Sequence, residues 1–338
     1  MNQTNKSILT QIKPIFAIAA LLAFATTSFS QGNNGSAGSV GISFQTLPNR
    51  DFKDTTGKFG YNNLGINLTV PLFGNKNKIM DGLATGDISS LHFYRTSLHA
   101  NFESLPNTIG FITNVSPFYT GSAGLGLLYG SKKNIFIANA NIGMAADEQV
   151  IKNNDIRYRF SGAFIVNNRH SATTTYIYGI AFSYTYGRAL PLPVLGIRKK
   201  FSADSKWSIS GILPLSVKVT DKMNKNSSLS FYLKPNGNKF QIANQGNFAT
   251  TSSFASMQLR QFQLGVGYNY KMGEHFNLSA DAGLLFGGKL KFTEYNDRKV
   301  VLSEAAIKPG PSIKIGLRYR FSKKRDKMED EDGIGGLL

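Results

Sequence analysis

The feature that most constrains this chain is a two-residue rhythm. In "SIKIGLRYRF" (312–321), Ile313, Ile315, Leu317, Tyr319 and Phe321 are apolar, while Lys314, Arg318 and Arg320 between them carry charge. Successive side chains of a strand point to opposite faces, so the stretch describes a ribbon with one apolar face and one wet, cationic face. The rhythm recurs along the chain. Leu64, Ile66, Leu68 and Val70 alternate with Gly65, Asn67 and Thr69; Tyr176, Tyr178, Ile180, Phe182, Tyr184 and Tyr186 alternate with small or polar residues. Phe262 to Tyr270 and Phe276 to Phe286 repeat it. No segment reads as an amphipathic helix.

Counting these runs gives fourteen strands, beginning near residues 39, 59, 90, 116, 134, 155, 173, 189, 206, 215, 227, 257, 276 and 311. Twelve is the alternative count. Pro191, Pro193 and Pro214 weaken their strands, because proline cannot donate to a ladder. The connections alternate between short turns, such as 201–207 and 271–275, and longer polar loops, such as 236–256 and 293–308. Short turns on one side and long loops on the other are the habit of outer-membrane barrels, and an even strand count returns both termini to the periplasmic side. Residues 71–87 are too long for an ordinary periplasmic turn.

The same alternation would permit a soluble β-sandwich or barrel with its apolar face inward. Face composition decides between the two. The polar faces are rich in Gly, Ser, Asn and Gln as well as charge, which suits a crowded lumen, and the apolar faces run almost free of acids and amides over the length of a membrane crossing. The fold class expected is therefore all-β: a transmembrane antiparallel up-and-down β-barrel of about 12–14 strands by this count. Phe201 with Trp207, and Tyr268 and Tyr270 with Phe276, flank the short turns, where an aromatic girdle would lie; Tyr319 and Phe321 join them.

The N-terminus agrees. Lys6 and Lys13 precede the apolar run Ile15 to Ala25, and small residues at Ser28 and Ser30 precede Gln31, the layout of a cleavable secretory signal. The expected organisation is a signal at 1–30 cut near Ser30/Gln31, a barrel at 31–321, and a charged periplasmic tail at 322–338. Taking Lys6 and Lys13 from the formal charge of +18 leaves +16. In a cytoplasmic protein that excess would suggest nucleic acid; in an exported barrel it does not. The absence of cysteine excludes disulfides, thiolate zinc, cysteine nucleophiles and a lipidated N-terminal cysteine.

Residues 178–219 ("YGIAFSYTYGRALPLPVLGIRKKFSADSKWSISGILPLSVKV"), with 262–288, resemble a family of outer-membrane β-barrel proteins of unknown function found in Bacteroidetes-type bacteria. The "LPVLG" strand after a tyrosine-rich strand, the turn before Trp207 and Pro214 carry the likeness. The resemblance implies an outer-membrane barrel and brings no catalytic residue with it. Many such barrels end on the last aromatic, here Phe321, whereas this chain continues.

Few residues suggest chemistry. Ser97 and His99 share a strand face with Glu103 close by, but neighbours on one strand reach hydrogen-bond geometry only with difficulty. His92 and these residues aside, His170 and His275 fall in expected turns, and no pair of histidines has ligand spacing. "GSAGLGLLYGSKK" (121–133) lacks the Gly-Lys-Ser/Thr order of a phosphate loop and reads as glycines inside a strand. "EDEDG" (329–333) lacks a calcium-loop spacing. The informative feature is cationic: Arg157, Arg159, Lys314, Arg318 and Arg320, with Asp281 as a carboxylate partner, are expected to line the lumen, where rings of cations favour anions.

The expected function is passive transport of small, anionic solutes, without cofactor and without an enzymatic role. The alternative is a closed barrel acting through its extracellular loops, and a lipid-modifying enzyme is third. Expected partners are outer-membrane lipids, lipopolysaccharide and the outer-membrane assembly machinery, and no nucleic acid.

Overall fold

The computed structural model describes residues 38–74, 92–105, 107–109, 116–131, 133–185, 188–213, 216–244, 248, 253–294 and 300–321. The expected signal, the tail and most of 71–87 lie outside the described residues. The strands are β1 (Gly38–Asp51), β2 (Lys58–Gly74), β3 (His92–Leu105), β4 (Asn107–Ile109), β5 (Phe118–Ser131), β6 (Asn134–Asp147), β7 (Arg159–Arg169), β8 (Thr174–Thr185), β9 (Arg188–Lys200), β10 (Trp207–Leu213), β11 (Ser216–Asp221), β12 (Ser227–Ala243), β13 (Phe254–Met272), β14 (Phe276–Glu294), β15 (Val301–Ile307) and β16 (Gly310–Phe321). A short helix, α1 (Glu148–Lys152), follows β6.

Fourteen of these strands pair antiparallel in a ring, with β4 and β15 as side pieces on β2 and β14. The ring closes because β1 pairs with β2 on one side and with β16 on the other, in a register running from Gly38 opposite Phe321 to Thr46 opposite Ile313. Closure leaves no unpaired edge at that level. The sequence alternation sets the faces. Every ring strand turns at least one large apolar residue outward and exposed: Ile42, Leu64, Leu98, Leu125, Ile142, Phe164, Ile180, Leu195, Leu213, Val217, Phe231, Leu264, Leu284 and Ile315. Leu264 and Ile315 are more than half exposed, at 54% and 52%. An unbroken belt of this kind is untenable in water and is what a hydrocarbon environment requires. The fold is a transmembrane, up-and-down, antiparallel β-barrel, and the soluble alternative is excluded by the direction in which the apolar face points.

The end away from the termini is built differently. There the inward face changes from polar to apolar: Phe59, Leu105, Phe118, Phe240, Met257, Leu259, Leu290 and Phe292 are buried against one another. Phe118 and Phe240, from opposite walls, stack with ring centroids 4.7 Å apart. A parallel bridge from Gln241 on β12 to Ala146 on β6 ties those walls together, and a second bridge joins Phe52 to Ile307. The strands between β6 and β12 are bypassed, and β10 and β11, with seven and six residues, stop short. The barrel thus steps in: a wide polar-lined ring at the base and a narrower, apolar-filled ring above it.

Asp147 fixes the step. One carboxylate oxygen accepts from the Val150 N–H at 2.8 Å, capping α1, and the other accepts from the Ala243 N–H at 2.9 Å on β12. Such a cap is worth ~1 kcal/mol in ordinary contexts.

Two loop expectations are corrected. Residues 236–256 are mostly strand, with β12 reaching Ala243 and β13 starting at Phe254. Amides such as Asn238 and Gln241 disguise an inward row, Phe240 and Ile242 facing Met257 and Ala255. The loop 293–308 contains β15, paired to β14 through Leu290 opposite Ala305. The strand expected from 155 begins at Arg159, because α1 and a turn with Asn154 at φ 58° occupy the preceding residues. Pro191 and Pro193 are accommodated within β9 in a stretch that pairs with β8 but lies beyond β10, whose partners on β9 begin at Leu195. A missing N–H costs little where only one neighbour needs it.

Candidate functional site

The lumen below the step is the candidate site. Its lining follows from register: whatever alternates with the belt faces inward. Asp281 on β14 stands directly opposite Lys314 on β16, and Arg318 stands opposite Asn277 on one side and Gly41 on the other. Arg320 faces Ser39 across the β1–β16 pair, near the base. Gly267 on β13 lies opposite Asp281, and a Cβ there would fall 2.6 Å from the carboxylate oxygen, so glycine gives that acid its room. Arg159 reaches across the barrel, its Nη1 donating to Asn238 Oδ1 on β12 at 3.2 Å. Arg157 is not beside it on a strand. It precedes β7 and is exposed, and its backbone N–H donates to Gln241 Oε1 at 3.1 Å.

Three further lumen cations escaped the sequence reading. Arg198 and Lys218 flank Ser210 from β9 and β11, and Lys234 on β12 lies opposite Gln263 with its ammonium 4.6 Å from the Tyr232 ring centroid. Each occupies a polar phase between belt residues, as Lys218 does between Val217 and Val219, so the alternation itself was the available signal. Lys218 and Lys234 stand singly between uncharged neighbours, whereas Arg198 opens the run Arg198, Lys199, Lys200 that leads into a short turn. Lys218, Lys234 and Lys314 form a set with Asp281 as the acid in their midst, an arrangement that raises the potential inside the lumen and attracts anions.

Above this set the described residues fill the lumen with hydrocarbon: Phe59, Phe240, Met257 and Phe292 are each no more than 2% exposed and pack in one apolar cluster. At the base, the girdle residues Phe201, Trp207, Tyr268, Tyr270 and Phe276 are exposed on the outer face beside the short turns. Phe276 packs on Tyr319 at 5.0 Å between centroids, and Tyr319 on Phe321 at 5.3 Å.

Ser97 and His99 do meet, contrary to the geometric expectation: Ser97 Oγ lies 2.8 Å from His99 Nε2. On a twisted strand the i, i+2 side chains of one face converge enough for a short hydroxyl and an imidazole. The other ring nitrogen, Nδ1, contacts Thr69 Oγ1 at 3.2 Å. Ser97 is only 4% exposed, and Glu103 instead accepts from Thr120 Oγ1 at 3.4 Å. Among the described residues no group of three His, Asp or Glu side chains could hold a metal ion. His170 and His275 lie in the base turns, and His92 starts β3.

Belt, girdle and polar lumen define a transmembrane β-barrel with a cation-rich interior. The chain belongs to DUF6268, a family described as a domain of unknown function, whose model matches residues 122–320. No curated protein sequence matches it. Among solved structures, the Pseudomonas putida toluene transporter TodX is similar at 10% identity and a TM-score of 0.38, over 86% of this chain and 90% of that one. The translocator domain of autotransporter NalP from Neisseria meningitidis is similar at 11% identity and a TM-score of 0.32, over 91% and 98%. LpxR from Salmonella typhimurium is similar at 8% identity and a TM-score of 0.36, over 84% and 100%.

Proposed function

We propose that the protein is an outer-membrane barrel of a Bacteroidetes-type envelope that carries small anionic solutes, and that the apolar seal is the closed position of a gate. The observation that supports this is the set of lumen cations Lys218, Lys234 and Lys314 directly below the seal. Three cations against one acid, Asp281, exceed what pairing within the wall requires. The barrel acts as a conduit and not as a catalyst: Ser97 is buried, and the third group in its chain is a hydroxyl that cannot hold imidazolium as a carboxylate does. Outer-membrane lipids surround the belt, and lipopolysaccharide phosphates meet cations at the outer rim.

Single-channel recording in a planar bilayer under a salt gradient tests this. The native protein is expected to show rare steps, and Met257→Ser to open far more often, with a reversal potential on the anion side that Lys218→Gln and Lys234→Gln weaken. Silence from native protein and Met257→Ser alike, with insertion verified, would reject transport. That result would favour the second reading, a closed barrel acting through its outer surface, which the seal itself supports.

A further inference from the structure

Between the seal and the cation set lies a cavity of about 170 Å³. Its floor is a polar stripe that crosses four neighbouring strands, stepping two residues along the sheet between β2 and β3. Lys314 on β16 stands opposite Gln45 on β1, Gln45 stands opposite Asn63 on β2, and Glu103 follows on β3 opposite Gly65. Lys314 and Glu103 are the charged residues of the cavity lining, while Asp281, opposite Lys314 on β14, lies outside that lining. At ~4.8 Å per strand the Lys314 and Glu103 backbones are about 14 Å apart across the sheet, and the reach of both side chains inward leaves a gap of a few atoms.

Among the described residues, neither Lys314 nor Glu103 makes an ion pair. Glu103 has a single long hydrogen bond, from Thr120 Oγ1 at 3.4 Å. Between them, Asn63 Oδ1 is buried and accepts from nothing. Phe118 on β5 and, from the facing wall, Phe240 and Leu259 supply the cavity's hydrocarbon, beside the amides of Asn236 and Asn238 on β12.

Half-buried charges in a lumen attract groups of opposite sign, and a buried acceptor without a donor costs ~1–3 kcal/mol. Opposite charges at the two ends of one cavity ask for a ligand bearing both signs, and the orphan amide oxygen beside Glu103 asks for a donor at the cationic end. An apolar cavity of ~150 Å³ takes up benzene, so the hydrocarbon wall has room for one ring or a branched aliphatic group. We propose that this cavity binds a small zwitterion with an apolar side chain, of the α-amino-acid type. Its ammonium donates to the Glu103 carboxylate and Asn63 Oδ1, its carboxylate accepts from the Lys314 ammonium, and its side chain lies under Phe118 and Phe240. The site needs no solute to cross the barrel, so it stands apart from the transport reading.

The test is isothermal titration of the barrel, purified from membranes in detergent, with L-phenylalanine, phenylacetate, phenethylamine and glycine. L-Phenylalanine is expected to bind at least ~10-fold more tightly than either singly charged analogue, since each lacks one charge-assisted contact, and glycine to bind weakest. Glu103→Gln should weaken L-phenylalanine and phenethylamine and spare phenylacetate; Lys314→Met should weaken L-phenylalanine and phenylacetate and spare phenethylamine. Each variant is accepted only if it keeps the heat-modifiable gel mobility of a folded barrel, and Asn63→Leu is the replacement should either fail. The proposal is overturned if L-phenylalanine fails to bind native protein, if it binds no more tightly than the analogues, or if the folded variants bind as native protein does. Conductance is not read in this experiment, so its failure and that of the transport reading are separate results.

Discussion

Gln241 carries an unusual share of the step for one side chain. It is 1% exposed; its amide accepts from the Arg157 N–H at 3.1 Å and donates to the Asp155 carbonyl at 2.9 Å, while its backbone makes the bridge to Ala146. Gln241→Leu keeps the volume and strands both backbone groups, so a loss of about 2–3 kcal/mol is expected, read from urea unfolding of the detergent-folded barrel. Asp147, above the belt, gives a prediction in pH. Burial holds its carboxyl above the usual carboxylate range, although three backbone N–H bonds pull it down. Because the folded pKa is the higher one, the folded state keeps a proton that the unfolded chain has lost just above the ordinary value of 3.8. The stability contributed is then full below that interval and falls as pH rises through it. Asp147→Asn does not titrate and keeps an acceptor for the Val150 N–H, so its stability relative to native protein should improve as pH rises above the ordinary carboxyl value of 3.8 in the same unfolding assay. Little of this was legible in sequence, since a glutamine in a polar-looking stretch advertises nothing until the wall opposite is known. Ser97 and His99 were visible as neighbours, and only the strand's twist decides that they touch.

At the scale of elements, alternation located the ring strands because belt and lumen impose opposite demands on successive residues. It failed where both demands lapse. In 236–256 the outward face is in water and can be polar, so the inward row Phe240, Ile242, Ala255 and Met257 stood alone without a contrasting belt. β15 is short and its outer residues include Glu304, which pairs with Lys289 at 3.2 Å in solvent. The upper ring should depend on its apolar core as a soluble domain does. Phe292→Ala is expected to cost about 3–5 kcal/mol there, loosening the step while sparing the belt. Protease cleavage near residues 244–253 should rise in that variant, with the base of the barrel still resistant; equal resistance in native and variant protein would show that the core does not hold the step.

Over the whole molecule, the charge excess that first suggested polyanions is partly turned inward, and the strand rhythm already put Lys314, Arg318 and Arg320 on the face opposite the belt. The two-level shape was beyond sequence reading, because it depends on β6 and β12 meeting across the barrel, a contact between distant segments with no local signature. Its consequence for the surrounding lipid follows from strand length. A crossing takes about 9–11 tilted residues, yet β10 and β11 offer seven and six between neighbours of thirteen and seventeen. A hairpin that short does not span a full hydrocarbon thickness, so the bilayer must dip along this one sector of the perimeter, at a cost that grows with acyl-chain length. The barrel should therefore unfold at higher urea in short-chain than in long-chain phosphatidylcholine vesicles, and lengthening the hairpin by one apolar pair on each strand should flatten that dependence. A protein that deforms its own solvent on one side has a built-in orientation towards thin membrane, and its lateral neighbours would be sorted by the same elastic term.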